Sequence, residues 1–211
     1  MPSLRLLLTA HAPVLLIDAA SSHMHVGWLG SDATARWESS SEEAGIGIFR
    51  CLEALGSDVS SARAFGFCEG PGSILGIRTV AMALRTWCML MPRPVFAYSS
   101  LALVAHALDR PELGIIADGR RESWHLHQLG AGLRRVTTAE LSGDLVMPEN
   151  FRHWTPLPPR VTRVPYAPAD LLPRVLDADL FRRNATPDAF LHEEPSYVTW
   201  TPQIHRAPPG R

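Results

Sequence analysis

The chain has 211 residues, 46% of them hydrophobic and 19% charged, which is enough to bury a core in one larger domain or in two small lobes. All 20 basic residues are arginine, which excludes a Walker-type phosphate lysine and a Schiff-base lysine. The net charge of −1, with no basic excess in either half, argues against a protein that binds nucleic acid by itself through many phosphate contacts.

Cysteine usage and hydropathy predict the cellular compartment. Cys51, Cys68 and Cys88 are odd in number and lie in apolar surroundings, which is typical of reduced core cysteines and not of a disulfide frame or a zinc site. The apolar run at residues 6–8 is too short for a signal peptide, and Arg85 interrupts the most apolar helix, so no segment reaches transmembrane length. We therefore expect a cytoplasmic protein without a membrane span or a bound metal.

The elements follow a recognisable order along the first half of the chain. A buried strand at 14–17 ends at Asp18, and strands at 25–29 and 33–38 and a helix at 41–55 follow. Next come a strand at 64–68, a long helix at 73–91, a strand at 95–98 and a helix at 99–108. Three antiparallel strands followed by alternating helices and strands is the ribonuclease H-like order.

The second half begins with a similar pattern. A strand at 114–118 ends at Asp118, as the first strand ends at Asp18, and strands are predicted at 123–129 and 134–137. Residues 148–211 hold 12 of the 18 prolines and show only short helical pieces, such as 169–180. The sequence thus predicts an N-terminal extension at 1–12, a lobe at 13–110 and a smaller, proline-rich lobe with a tail at 111–211.

The segment GFCEGPGSILGIR at 66–78 joins a strand to the long helix through a glycine turn, with Ser73 as the expected helix N-cap. Helix N-termini attract anions, Gly72 allows close approach of the backbone, and Arg78 could lean toward the same end. The spacing is nevertheless one residue off the dinucleotide fingerprint. Two interpretations stay open, a structural turn that packs the helix and a remnant of an anion site.

Acidic residues suggest a second chemistry. Asp18, Glu43 and Glu69 follow or begin three different elements, where ribonuclease H-like nucleases place carboxylates that bind Mg²⁺. The simpler interpretation is a turn aspartate, a glutamate at a helix N-terminus and a loop glutamate. A small-molecule kinase is a further alternative, although the second half lacks the adjacent glycines of a second phosphate clamp.

The long helix is apolar on more than one side. Ile77, Leu84 and their neighbours form one stripe that can pack on the sheet, while further apolar residues point elsewhere. Such a helix is covered by another local element or by another protein. The residues predicted to form a partner-binding surface are Ile46, Phe49, Leu75, Thr79, Met82 and Met89.

These residues also carry a family resemblance. The strand ending in Asp18, the segments EGPGSILGIR (69–78), YSSL (98–101) and DGRRE (118–122), and the late PSY (195–197) together resemble YeaZ-like proteins of the TsaB family. These are non-catalytic subunits of bacterial tRNA threonylcarbamoyladenosine biosynthesis. The resemblance covers about residues 13–129, and the chain has Ile74 and Leu75 where the family usually has Phe and Thr, and Thr199 near the place of its final Arg.

The resemblance implies a two-lobed actin/Hsp70-like fold in a subunit that is not an enzyme and holds no cofactor. It implies a heterodimer with the catalytic paralogue TsaD, contact with the ATPase TsaE through that complex, only indirect contact with tRNA, and a homodimer when the subunit is alone. The residues that would remain from an ancestral anion or nucleotide site are Asp18, Gly72, Ser73, Gly76, Arg78 and Asp118.

Overall fold

The computed structural model describes residues 1–31 and 35–190, which form two β-sheets and five α-helices. The helices are α1 (Leu4–His11), α2 (Ala44–Leu55), α3 (Ile74–Leu90), α4 (Ser100–Leu108) and α5 (Pro168–Leu171). The strands are β1 (Val14–Asp18), β2 (Met24–Leu29), β3 (Ala35–Ser40), β4 (Ala64–Gly70), β5 (Val95–Ser99), β6 (Gly114–Arg120), β7 (Ser123–Gln128), β8 (Gly132–Thr137), β9 (Leu145–Pro148), β10 (Val161–Val164) and β11 (Arg182–Arg183).

The first sheet has the strand order β11-β5-β4-β1-β2-β3. Strands β1, β2 and β3 form an antiparallel meander, and β4 and β5 then run parallel to β1. Helices α2 and α3 pack against each other and against this sheet. Every residue of β1 and β4 is buried, as expected for central strands covered on both faces.

The second sheet, with the order β10-β9-β6-β7-β8, repeats this arrangement. Strands β6, β7 and β8 form an antiparallel meander, and β9 and β10 run parallel to β6. Only a 3-10 turn at Thr138–Glu140 separates β8 from β9, and a loop joins β9 to β10, where the first lobe has α2 and α3. The prediction of two related lobes, the second abbreviated, is therefore confirmed.

Helix α4 joins the two lobes. Six of its nine residues are buried, and it contacts β4 and β5 of the first sheet as well as β6 and β7 of the second. The Ser99 hydroxyl accepts a hydrogen bond from the Ala102 N–H and so caps the first turn. Because both faces of α4 are covered, one hydrophobic core runs through both lobes.

Both ends of the described chain pack onto this framework. Residues 1–12, predicted to be an extension, contain α1, whose Leu4 and Leu7 are buried in the core. The Arg5 N–H donates to the Leu176 carbonyl, and the Phe181 N–H donates to the Pro2 carbonyl. Strand β11 then returns to the first sheet and pairs antiparallel with β5.

One predicted element is wrong. The helix expected at 169–180 is only the single turn α5, followed by a 3-10 turn at Leu172–Val175. Pro173 explains the difference, because it lacks an N–H and its ring clashes with the preceding turn of an α-helix. The start of the third predicted strand and the PSY motif at 195–197, like Thr199, lie outside the described residues. Within 1–31 and 35–190, no helix combines the length and the apolar character needed to cross a membrane.

Candidate functional site

Asp18 ends β1 at the centre of the first sheet and is completely buried. Its carboxylate accepts hydrogen bonds from the Tyr98 hydroxyl, from the Tyr166 hydroxyl at 2.6 Å and from the Ala20 N–H at 2.8 Å. Burial, and then the charge of Asp18, raise the pKa of both tyrosines well above the usual 10, so their hydroxyl groups stay protonated and act as donors. The carboxylate is thus satisfied entirely from within the protein.

Cys68 lies beside this group, with its sulfur 3.9 Å from the Tyr166 hydroxyl. Burial raises the pKa of the Cys68 thiol well above its usual value. Because the thiolate is the reactive form of cysteine, this shift disfavours reactivity at Cys68, which packs in the core.

The glycine turn packs directly on the chain that follows β1. A Cβ on Gly72 would lie 2.3 Å from the Ala20 carbonyl oxygen, and a Cβ on Gly76 would lie 2.7 Å from the Ala19 carbonyl oxygen. The Ser73 N–H donates to the Ala20 carbonyl at 2.8 Å, and the Ser73 side chain makes no capping hydrogen bond. A backbone carbonyl therefore occupies the place in front of α3 where an anion would accept hydrogen bonds.

The charged residues predicted near this turn pair with residues of the segment 182–188. Arg78 forms an ion pair with Asp188 at 3.6 Å, which Arg85 also contacts at 3.4 Å. Glu69, almost fully buried, accepts two hydrogen bonds from the guanidinium of Arg182. Arg78 is thus paired with Asp188, and its part in an anion site stays a prediction.

The structure does not bring the predicted acidic residues together as a metal site. Glu43 lies exposed at the start of α2, whereas Asp18 and Glu69 are buried with the partners given above. In the part of the chain that the structure describes, no three His, Cys, Asp or Glu side chains are grouped so that they could hold a metal ion. Asp118 belongs to the second sheet, where it accepts hydrogen bonds from the Arg120, Trp154 and Thr155 N–H groups.

The predicted partner-binding residues lie on the outer surface of α2 and α3. Thr79 is half-buried, and its hydroxyl donates to the Leu75 carbonyl one turn earlier. The apolar members are exposed and define what is called here the α2–α3 patch: Ile46 (53% exposed), Phe49 (62%), Leu75 (79%), Met82 (58%) and Met89 (86%). The opposite side of α3, with Ile77, Val80, Ala81 and Leu84, is buried.

Sequence reasoning missed three residues of these sites. Tyr166 and Arg182 are far from their partners in sequence, by 148 and 113 residues, and no local pattern marks them. Leu90, 76% exposed, is a further exposed apolar residue at the end of α3. Leu90 could have been found, because it follows Met89 on a helix whose other side is already buried.

Together, the two repeated sheets give the chain the two-lobed fold of the actin/Hsp70-like, ribonuclease H-like class. Within that class the chain is similar to YeaZ from Pseudomonas aeruginosa, with 19% identity, a TM-score of 0.51, and coverage of 64% of this chain and 74% of that one. It is also similar to an uncharacterised protein from Pseudomonas aeruginosa described as similar to the peptidase YeaZ, with 18% identity and a TM-score of 0.54. That alignment covers 76% of this chain and 88% of the other.

The likeness is one of structure. No protein-family model and no curated protein matches the sequence. The two structural neighbours show that the chain has the YeaZ-like fold that its motifs predict.

Proposed function

We propose that this chain is a non-catalytic binding subunit of the YeaZ (TsaB) type that pairs with its catalytic paralogue TsaD. The observation that carries the proposal is the α2–α3 patch on a YeaZ-like fold. Through TsaD the subunit would associate with the ATPase TsaE and support threonylcarbamoyl transfer to adenosine in tRNA. In the absence of TsaD, the same patch would pair two copies of this chain.

The geometry of the patch supports a protein partner. Leu75, Met82 and Met89 follow one another at intervals of seven residues and so form one line along α3, and the exposed Ile46 and Phe49 belong to α2, which packs against α3. Each of these side chains would gain about 1.5–3 kcal/mol on complete burial. A row of this kind suits the apolar centre of an interface of standard size, about 800 Å² on each partner.

The buried polar groups around Asp18 and Glu69 support a subunit without its own chemistry. Asp18 is satisfied by two tyrosine hydroxyls, Glu69 pairs with Arg182, and the Ser73 N–H donates to the Ala20 carbonyl. None of these groups is directed to a substrate. We therefore expect no ATP hydrolysis and no nuclease activity from the isolated chain with Mg²⁺ or Mn²⁺, and a turnover that Asp18→Asn abolished would contradict the proposal.

A charge in the centre of the patch tests the partner surface. Met82→Glu should weaken capture of TsaD from the same organism by several kcal/mol, because an unpaired carboxylate would be buried in the interface. Leu6→Glu is the matched control, since Leu6 is exposed to a similar degree (61% against 58%) but lies on α1.

Three measurements decide the outcome. Circular dichroism establishes that both variants are folded, sedimentation gives their self-association, and a pull-down gives TsaD capture. We expect the Leu6→Glu variant to behave as the wild type in all three. A folded Met82→Glu variant that dimerises and captures TsaD as well as the wild type would show that the partner surface lies elsewhere.

A further inference from the structure

The loop between β9 and β10 presents an exposed aromatic side chain that the α2–α3 patch does not include. Trp154 is 66% exposed, and no other tryptophan in 1–31 or 35–190 is classed as exposed. The loop itself is anchored, because Phe151 is buried and packs edge-on against Tyr166 with ring centroids 4.9 Å apart. The indole is therefore displayed from a segment whose neighbouring residues belong to the core.

Asp118 holds the backbone of Trp154 and Thr155 in place through hydrogen bonds. Its carboxylate accepts hydrogen bonds from the Trp154 N–H, from the Thr155 N–H at 2.9 Å and from the Thr155 hydroxyl at 3.3 Å. Burial by itself would raise the pKa of Asp118, but these hydrogen bonds and that of the Arg120 N–H outweigh it and lower the pKa. Asp118 thus carries its charge at neutral pH and holds the loop in place.

One arginine side chain lies over the indole, and two more line the groove beside it. The Arg120 guanidinium lies 5.0 Å from the centroid of the Trp154 ring. Trp154, Arg152 and Arg163 line a groove of about 640 Å³. The groove also contains Glu149, Asn150, Phe151 and His153. Among the described residues, none of Arg120, Arg152 and Arg163 has a carboxylate within 4 Å, whereas arginines elsewhere, such as Arg182, do.

The adjacent turn between β6 and β7 keeps charged residues in an unfavourable backbone conformation. Arg120, Arg121 and Glu122 all have left-handed backbone angles, with φ of 62°, 49° and 58°. Such two-residue hairpin turns strongly favour Asn-Gly, which adopts these angles with little strain. The Arg135 guanidinium supports the turn by donating to the Ser123 hydroxyl at 2.8 Å. Strain of this kind is concentrated at functional sites.

We propose that this groove, called the Trp154 groove, binds a short stretch of single-stranded nucleic acid. A base would stack on the indole, and the guanidinium groups of Arg120, Arg152 and Arg163 would bind the flanking phosphates. Exposed aromatic rings with nearby arginines recognise single strands in this way, because every base has a face that can stack. Three phosphate contacts need no basic excess over the whole chain, which agrees with the net charge of −1.

The combination of an aromatic ring with arginines favours single-stranded nucleic acid over an acidic peptide as the ligand of the groove. Carboxylates could pair with the arginines, but they would leave the Trp154 ring exposed. The proposal is independent of the TsaD interface, since the Trp154 groove belongs to the second sheet and the α2–α3 patch to helices of the first. Failure of one would leave the other intact.

The test measures binding of a fluorescein-labelled 12-nucleotide oligouridylate to the full chain by anisotropy at low salt. Trp154→Ala should weaken binding by about tenfold, because one base loses its stacking partner. Trp154→Phe should retain most of the affinity, because the phenyl ring can still stack. Leu157→Ala, a change of an exposed apolar residue (40%) in the same loop, is the control and should bind as the wild type.

The salt dependence tests the arginines separately. Arg152→Gln should lower the slope of log K against log salt by about 0.7, the value for one phosphate contact on a single strand. Arg50→Gln, a change of an exposed arginine on α2, should leave the slope unchanged. Circular dichroism of each variant shows that differences come from the surface and not from the fold.

Several outcomes would overturn the proposal. It is wrong if the wild type does not bind the oligonucleotide at low salt, or if a folded Trp154→Ala variant binds as tightly as the wild type. Uridine monophosphate competing with an affinity equal to that of the oligonucleotide would assign the groove to free nucleotides. A glutamate-rich peptide competing equally well, with no effect of Trp154→Ala, would make it a general anion site.

Discussion

Tyr166→Phe is the most direct probe of the buried carboxylate in the first lobe. The substitution removes one hydroxyl donor from Asp18, which is completely buried, and leaves the Tyr98 hydroxyl and the Ala20 N–H in place. The phenyl ring keeps the shape that packs against Phe151. The effect on stability therefore comes almost entirely from the lost hydrogen bond.

The expected size follows from the charge of the acceptor. Hydrogen bonds to charged groups contribute about 1.5–3 kcal/mol, and a buried acceptor left unsatisfied is costly, so we expect Tyr166→Phe to lower the free energy of unfolding by about 2 kcal/mol. For a chain of this length, 1 kcal/mol corresponds to about 2–4 °C, which predicts a Tm lower by about 4–8 °C.

Urea unfolding followed by far-UV circular dichroism measures the change, and an unaltered m-value would show that the unfolded state is not affected. Tyr98→Phe should have a similar effect. The double variant should deviate from additivity, because both hydroxyls donate to the same oxygen of Asp18. Asp18→Asn in the Tyr166→Phe background should restore part of the loss by removing the buried charge.

Two results would refute this reasoning. An unchanged unfolding midpoint in Tyr166→Phe would mean that the hydroxyl does not stabilise the carboxylate. A Tm of the wild type that rises with millimolar Mg²⁺, and does not rise in Asp18→Asn, would identify Asp18 as a ligand instead of an internally satisfied group.

Three further predictions concern packing, protonation and strain. Gly72→Ala should destabilise the chain by at least about 2 kcal/mol in thermal melts, because its Cβ would lie 2.3 Å from the Ala20 carbonyl oxygen, whereas the control Gly45→Ala, with nothing within 4 Å, should be neutral or stabilising. Burial lowers the pKa of His25, with Asp18 only partly opposing it, so the unfolded chain binds this proton more readily than the folded chain. The free energy of unfolding should then fall as the pH is lowered from 6.5 toward the pKa of His25 in the folded chain. Urea titrations at pH 7.5 and pH 5 should show a smaller loss in His25→Gln than in the wild type. An equal loss in the variant would contradict the assignment to His25. Glu122→Gly should raise the free energy of unfolding by about 1 kcal/mol, since glycine relieves the left-handed φ of 58°, and a lower Tm would show that the glutamate side chain stabilises the turn.

Hydropathy and turn patterns were enough to predict most of the first lobe. The strand predicted at 14–17 is observed as β1, and the one at 64–68 as β4, because buried strands and their bounding turns are marked by adjacent residues. The helical period likewise predicted that Leu75, Met82 and Met89 turn away from the core stripe, and all three are exposed. That these residues bind a partner stays a prediction.

Tertiary structure alone decided which groups pair with the buried Asp18 and Glu69. Asp18 is bonded to Tyr166, and Glu69 to Arg182, across 148 and 113 residues of chain. Neither pair leaves a local trace, since each contact depends on how the second lobe and β11 return to the first sheet. The acidic residues Asp18 and Glu69, which suggested a metal site, are therefore bonded to other side chains of the protein.

The same distinction applies to the ends and loops of the chain. Hydropathy could show that residues 6–8 are apolar, but only the folded chain places Leu4 and Leu7 in the core and pairs the Arg5 N–H with the Leu176 carbonyl. Trp154 could be read from the sequence, yet its exposure depends on Asp118 holding the loop from another strand. A sequence specifies local conformation through neighbouring residues, whereas burial and pairing are set by segments that become neighbours only when the chain folds.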